Sequence, residues 1–346
     1  MPELRTDWLT GRTVLIAENR AHRPNDFAGE VAFPGLSLSK SAAGQVAPNE
    51  TLPTCPFCAG NESRTPAPVY EILNDRGHWQ VRVVPNMFAA VETDVPTVIP
   101  EIASSPADAQ RVATATGAHE VIIECPTHLD RLSVLSANEL HSVLEAYAAR
   151  LAHWCDNGQL RYGLVFKNQG PRAGASIAHL HSQLIALPFV PATVEAEQQR
   201  AAESYSRERI CPYCQVITKE QTVNERIILD RGGFIAFCPF ASWQPGEVWL
   251  MPTAHEASFE SASPDQLRRL ASVLHPLIRR LESNIPGAAY NLILRTSPWI
   301  GDREAWSHWR IELLPRVNAF AGLELATGIN INHLAPERAA GLLRPE

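Results

Sequence analysis

Two Cys-x-x-Cys pairs and one His-x-His-x-Gln run hold most of this chain's chemical capacity. The pairs are Cys55-Pro56-Phe57-Cys58 and Cys211-Pro212-Tyr213-Cys214; the run is His179-Leu180-His181-Ser182-Gln183. Two thiols three positions apart can grip one metal ion from a tight turn, or cycle as a redox dithiol. Each pair has two histidines at matching places downstream, His128 and His179 for the first, His255 and His308 for the second. Cys2His2 is a closed tetrahedral set that suits zinc and leaves no coordination position for a substrate, so both sites are expected to be structural. A redox dithiol would ask for a helix start after a strand in a βαβ setting. Pro-rich loops are expected around both pairs, which speaks against it.

On a strand, residues two apart share a face, so His179, His181 and Gln183 project together. The approach to them is rich in small donors: Lys167-Asn168-Gln169-Gly170, then Ala173-Gly174-Ala175-Ser176. Asn168, Ser176, Gln183 and nearby backbone amides can donate to phosphoryl oxygens without carrying negative charge. His181 is then placed as a nucleophile on phosphorus, since a neutral imidazole forms a phosphoramidate readily. The competing reading of His-x-His is a pair of ligands on one catalytic metal. Such sites usually include a carboxylate, and His179 already has two cysteines to join. Arg20 and Arg23, just after a strand at 13–17, form a solvated turn or supply the positive charge a nucleotide or sugar phosphate needs. Cys125, Cys155 and Cys238 read as small core residues. His119, His141, His153, His275 and His333 have no second feature beside them and read as structural or solvated.

The elements that must position these groups come in two copies. The Cys-x-x-Cys pairs lie 156 residues apart, and Asp75-Arg76-Gly77 and Asp230-Arg231-Gly232 lie 155 apart. Each triplet precedes a strand, at 79–84 and 234–238. Glu120-Val121-Ile122-Ile123 leads to His128, and Glu247-Val248-Trp249-Leu250 to His255, 127 residues later. Ser136 and Ser263 then read as N-caps of helices at 137–153 and 264–281, with Pro276 expected to kink the second. Two strands close each half, at 162–166 and 290–294 and through His179 and His308. The drop in offset implies an insertion near 91–117, Pro-, Ala- and Ser-rich, expected as a surface loop. The polar stretch 194–209 reads as a connecting helix. The whole is an α+β chain of two tandem units, 1–193 and 194–346, each an antiparallel sheet with one long helix and one metal site. The units differ where it matters: His181 becomes Arg310 and Gln183 becomes Glu312. Guanidinium stays protonated and cannot attack phosphorus, so catalysis is expected in the first unit alone.

Composition agrees with this. The chain has 346 residues, 45% hydrophobic and 19% charged, with 30 Lys+Arg against 37 Asp+Glu for a net charge of -7. That length gives room for two full cores, and the acidic balance excludes a bulk polycation for nucleic acid or an anionic membrane. No apolar run approaches the roughly 20 residues of a bilayer span, and the first residues lack the order of a secretory signal. A cytoplasmic protein is the expectation.

At this point the residues resemble the galactose-1-phosphate uridylyltransferase family, a branch of the histidine-triad superfamily. The matching pieces are Arg5-Thr6-Asp7…Thr10-Gly11, Arg20-Ala21-His22-Arg23-Pro24, the first Cys-x-x-Cys pair, 168–170, 179–183, and 321–332 with Pro336-Glu337. They span nearly the whole chain in order. The resemblance implies two histidine-triad-like units, two structural zinc ions, and ping-pong transfer of a nucleoside monophosphate from a nucleotide sugar to a hexose 1-phosphate. By carry-over His181 attacks the α-phosphorus, Gln183 assists, and Arg20, Arg23, Asn86, Asn168, Gly174 and Ser176 hold the substrate. A homodimer is implied as well. The uridylyltransferases proper usually carry His-Pro-His-Gly-Gln, whereas this chain has His-Leu-His-Ser-Gln. Its 167–170, 174–176 and 321–332 segments look closer to a subgroup with ADP-glucose phosphorylases, which pass AMP to inorganic phosphate. A zinc-stabilised binding protein with an inert His-x-His is the remaining alternative.

Overall fold

The computed structural model describes residues 3–6, 13–16, 51–93, 112–285, 289–317, 322–328 and 330–345. Its centre is one ten-stranded antiparallel sheet. The first half supplies β3 (Tyr70–Leu73), β4 (Trp79–Pro85), β6 (Ala118–Ile123), β7 (Tyr162–Gln169) and β8 (His181–Leu187). The second supplies β9 (Ile227–Arg231), β10 (Phe234–Phe237), β11 (Val248–Pro252), β12 (Tyr290–Arg295) and β13 (Arg310–Pro315). The order is β3-β4-β6-β8-β7-β12-β13-β11-β10-β9, so the second half repeats the first in mirrored sequence. The halves meet at β7 and β12, paired from Tyr290↔Gln169 to Arg295↔Leu164. Each half thus contributes half of a shared sheet. A smaller sheet joins β1 (Glu3–Thr6), β2 (Thr13–Ile16) and β5 (Ala113–Thr114).

Helices α1 (Ala137–Asp156) and α4 (Pro264–Asn284) pack side by side on one face of the large sheet. Both start at the expected caps. Ser136 and Glu139 form a reciprocal capping box, and the Ser263 hydroxyl accepts from the Gln266 amide. Pro276 lies inside α4 without ending it. Alternate residues of the strands, such as Ala118, Ile122 and Leu184 in the first half and Leu250, Leu294 and Ile311 in the second, join these helices in one apolar core. The opposite sheet face carries the cysteine loops over two smaller clusters, one with Val84, Val121 and Ile123, the other with Ile235, Phe237 and Met251.

The connecting helix is present as α2 (Ala192–Glu208). It is followed by α3 (Pro212–Val223), which the sequence reading had as Pro-rich loop. Cys211 is the N-cap residue of α3 and Pro212 its first residue, where a missing N–H costs nothing. The insertion is a loop only in part. Residues 94–111 lie outside the described residues, while β5 pairs with β1 and Thr116 bridges to Glu92. Short helices α5 (Gly322–Thr327) and α6 (Pro336–Leu343) follow the last strand. Among the described residues no helix is long and apolar enough to cross a membrane.

Candidate active site and metal centres

Strand β8 and the loops at its start bring the chemistry together. His179 ends the segment leading into β8, and His181 opens the strand. His181 and Gln183 share the face away from α1, as period-two alternation requires, while Ser182 and Leu184 face the helix.

Both metal-ligand sets converge. In each of Cys55/Cys58/His128/His179 and Cys211/Cys214/His255/His308 the ligand atoms all lie within 4.8 Å of one another. Zinc with bonds of about 2.3 Å to sulfur and about 2.0 Å to nitrogen, at tetrahedral angles, sets S and N about 3.5 Å apart. The Sγ–Nδ1 distances are 3.5 Å for Cys55–His179, 3.6 Å for Cys58–His128, 3.6 Å for Cys58–His179, 3.4 Å for Cys214–His255 and 3.7 Å for Cys214–His308. Three of the histidines donate Nε2–H to a backbone carbonyl: His179 to Cys125 at 2.9 Å, His255 to Glu304 at 2.8 Å and His308 to Pro252 at 3.0 Å. That fixes the tautomer with Nδ1 free for a metal. Cys58 is held down to about 2 by the hydrogen bond from Cys55, with His128 and His179 adding to it against the opposing burial. The donors therefore fit a tetrahedral ion, and the second pair does so even though it sits at a helix start.

His181 is buried and tied at one nitrogen only. Its Nδ1–H donates to the His179 carbonyl at 2.7 Å, and Nε2 has no partner among the described residues. Phe57 covers the ring, centroids 5.4 Å apart. Burial pushes the imidazole down to about 4, and the Lys167 ammonium beneath it pushes the same way. The ring is neutral at neutral pH.

Two amides flank it, each with its oxygen already satisfied. Gln183 Oε1 accepts from His119 Nε2–H at 3.0 Å and lies 3.5 Å from Asn86 Nδ2. The Ala90 amide donates to His119 Nδ1 at 2.9 Å, so the ring proton sits on Nε2, and the Phe88 amide donates to Asn86 Oδ1 at 2.9 Å. Asn168 lies two residues beyond Phe166, which pairs with Gln183, and so sits level with His181 on the same face. Its Oδ1 accepts from Asn291 Nδ2 at 2.8 Å, and Asn291 also donates to the Ala173 carbonyl at 2.9 Å. With both oxygens occupied, the NH2 groups of Gln183 and Asn168 are the ends left to donate.

Gly170 and Gly174 bracket the short 3-10 turn Pro171–Ala173 with φ of +76° and +90°, values that L side chains rarely adopt. Gly174 passes close to the Asn168 amide, where an added Cβ would lie 3.7 Å from Nδ2. Ser176 is half-buried in the segment that leads on to β8. Asn86, Asn168, Gly174, His181 and Gln183 thus gather around the start of β8, with Ser176 in the segment between Gly174 and that strand. Arg20 and Arg23 lie outside the described residues. Two members of the site escaped the sequence reading. His119 has no second feature beside it in the chain, and Asn291 comes from the other half. The signal for Asn291 lay in the pairing of β7 with β12, and for His119 in its place on β6, whose partner is β8.

The second half has the same frame with its centre filled. Arg310, in the place of His181, pairs with Glu197 at 2.9 Å and Glu312 at 2.8 Å and stacks on Tyr213 and Trp249. Arg295 holds Glu312 from the other side at 2.6 Å. Arg310 is thus paired on both sides, and a guanidinium, which stays protonated, cannot attack phosphorus.

Together these features define a duplicated α+β protein with a Cys2His2 cluster in each half and one intact His-x-His-x-Gln strand. The model for the galactose-1-phosphate uridyl transferase N-terminal domain matches residues 1–191, and a domain of unknown function, DUF4921, matches residues 101–343. The chain belongs to the galactose-1-phosphate uridylyltransferase family. It is 30% identical to ADP-glucose phosphorylase of Arabidopsis thaliana, over 99% of this chain and 92% of that one. It is 25% identical to galactose-1-phosphate uridylyltransferase of Thermotoga maritima, over 88% of this chain and 93% of that one. The crystal structure of an Arabidopsis thaliana ADP-glucose phosphorylase with bound ADP-glucose superposes with a TM-score of 0.73 at 28% identity, covering 100% of this chain and 99% of that one.

Proposed function

We propose that this chain is a nucleotidyltransferase that moves a nucleoside monophosphate from a nucleotide sugar through a covalent adduct on His181. Residues 1–193 are the catalytic histidine-triad-like unit and 194–346 the structural one. The observation that carries this reading is the single-ended tether of the imidazole. Nδ1 is bound to the His179 carbonyl, Nε2 has no partner among the described residues, and two amides beside it present their NH2 ends.

In the first step the Nε2 lone pair forms a bond to the α-phosphorus. The bond from that phosphorus to the bridging oxygen breaks, and its electron pair leaves with the hexose 1-phosphate. The Nδ1–H bond to the His179 carbonyl holds the positive charge that develops on the ring. Gln183 and Asn168, with Ser176, donate to the phosphoryl oxygens, and Arg20, Arg23, Asn86 and Gly174 complete the substrate contacts. The leaving group is a weakly basic phosphate, so no strong general acid is required. In the second step an acceptor oxygen attacks phosphorus, and the N–P pair returns to Nε2. Cys55, Cys58, His128 and His179, and Cys211, Cys214, His255 and His308, would each hold a zinc ion that braces the strands, a closed set of four donors leaving no position for substrate.

The base and the acceptor have two readings. Transfer of a uridylyl group to a hexose 1-phosphate is what the family model's description suggests. Transfer of an adenylyl group to inorganic phosphate is favoured by the 30% identity to an ADP-glucose phosphorylase, against 25% to the Thermotoga maritima uridylyltransferase. We take the second. The test is isotope exchange: with no phosphate present, labelled glucose 1-phosphate should enter ADP-glucose, and UDP-glucose should exchange far more slowly. Exchange only when phosphate is added would contradict the covalent route, and faster exchange into UDP-glucose would reverse the choice of base.

A further inference from the structure

On the far side of β8 from the nucleophile lies a polar cluster sealed in the core. Lys167 on β7 is 1% exposed, and so are Glu124 and Ser182; Tyr147 on α1 is 3% exposed. The Lys167 ammonium donates to Glu124 Oε2 at 2.6 Å and to the carbonyl oxygen of His181 at 3.0 Å. Tyr147 donates to Glu124 Oε1 at 2.8 Å, and the Ser182 hydroxyl donates to that same oxygen. Burial works against charge on Glu124, yet the adjacent ammonium outweighs it and holds the carboxyl below the usual carboxylate range.

The second half shows that the fold does not need this cluster. Ser182 stands three residues after His179, and Ile311 stands three after His308. Across from Ile311 on β12 stands Leu294, in the place Lys167 holds beside Ser182 in the first half, and on β11 stands Leu250, in the place of Ile122. Leu274 follows the Ser263 cap by the same eleven positions that separate Tyr147 from Ser136. Ile311, Leu294, Leu250 and Leu274 are all in the apolar core. A buried ion pair is expensive to desolvate, and apolar side chains of similar volume often serve stability as well or better. The half that carries Arg310 has that apolar layer, and the half that carries His181 has the charges.

We infer that Lys167 is a positioning residue for His181, holding the peptide of the nucleophile from beneath while Glu124, Ser182 and Tyr147 hold Lys167. The paired register of β7 with β8 ends at Phe166↔Gln183, and beyond it the ammonium reaches the His181 carbonyl. The ring is tethered at Nδ1 to His179, and the chain on its other side is pinned by Lys167. The two tethers together set where Nε2 points. The same 124–125 segment also accepts the His179 Nε2–H on the Cys125 carbonyl and pairs the Glu124 amide with the Leu180 carbonyl at 3.2 Å. Nucleophile and metal-ligand histidine are therefore aligned from one place. A displacement of about 1 Å at a reacting atom costs up to about 10²-fold in rate.

The inference rests on His181 being the nucleophile, and the test separates the two. Glu124→Gln with Lys167→Leu removes both charges at once. This double variant should keep its metal content and its cooperative unfolding. Its kcat for nucleotidyl transfer should fall by about 30-fold, with KM for the nucleotide sugar within about threefold of the parent's. Nitrogen-15 histidine NMR reads the same effect without turnover: His181 should be a single Nδ1–H tautomer in the parent and a mixture in the double variant. A folded double variant with kcat within twofold and the parent's tautomer would overturn the inference. Should the double variant not fold, Tyr147→Phe removes one hydroxyl and no charge, and should lower kcat about threefold at unchanged KM; an unchanged kcat would overturn the inference equally. If the parent turns over no nucleotide sugar, the functional reading fails and the tautomer comparison still decides this point.

Discussion

Phe57 lies against the ring of His181, with centroids 5.4 Å apart and planes inclined at 56°, and its chain neighbours in the same turn are the metal ligands Cys55 and Cys58. The residue that seats the His181 ring is therefore placed by the loop of the first Cys/His cluster itself. Phe57→Ala should keep the metal, by elemental analysis, and lower kcat about tenfold, as losses around a metal site commonly do. Removing the metal with a chelator should give a larger loss together with a lower melting temperature. Full activity in metal-free protein would contradict a bracing role.

The pair His119 and Gln183 makes a second prediction. Gln183→Ala removes a donor to the phosphoryl group and should cost about 10²-fold in kcat. His119→Ala leaves the donor in place but frees its amide to turn, and should cost about tenfold. Combined, the two substitutions should cost little more than Gln183→Ala alone, because they act through one group. Additive losses would show that His119 acts independently. Asn291→Ala should behave toward Asn168 as His119→Ala does toward Gln183.

Arg310 occupies the place of His181 in the second half but is woven into a buried network with Glu197, Glu312 and Arg295. From sequence alone, Arg310→Ala would be expected to leave a folded, competent protein. The structure sharpens that. Removing Arg310 leaves Glu197 without its guanidinium and Glu312 with Arg295 alone, and should cost about 3 kcal/mol by denaturant titration. The rate of the first half-reaction, measured on the folded fraction, should be unchanged.

Glu247 is pushed up to about 7 by burial, with Glu312 across the strand pair adding to it. Its folded value lies above the roughly 4.3 of an unfolded chain. The stability it contributes is therefore fully present below that unfolded value and is lost as pH rises through about 7, on the order of 3 kcal/mol at most. The melting temperature should fall between about pH 4.5 and pH 7 and level off above that, and Glu247→Gln should flatten that fall. An equal slope in parent and variant would assign the pH dependence elsewhere.

Much of this was legible in the sequence because the informative residues are chemically rare and recur. Cysteine and histidine at repeated spacings marked both metal sets, and Ser136 with Glu139 marked a helix start by local hydrogen bonding. The joining of two halves into one sheet was not legible, because the pairing of β7 with β12 depends on two edges that meet only after each half has formed. The same cause hid Asn291, which reaches Asn168 across that seam. His119 was hidden because its partner Gln183 is 64 residues away and nothing near it in the chain signals a role. The buried Lys167 was hidden because a lysine beside a Gly-rich loop reads as an exposed phosphate binder, and the strand face on which it falls is fixed only by register.

Transfer through His181 requires a covalent nucleotidyl adduct on that residue. The direct measurement is to incubate the zinc-loaded protein with ADP-glucose, and separately UDP-glucose, labelled at the α-phosphorus, and to locate acid-labile label on the chain by peptide mapping. Label should appear on the peptide containing His181, more from ADP-glucose than from UDP-glucose, and His181→Asn should carry none. A zinc-loaded protein that takes up no label from either nucleotide sugar, or that keeps its label in His181→Asn, would contradict transfer through His181.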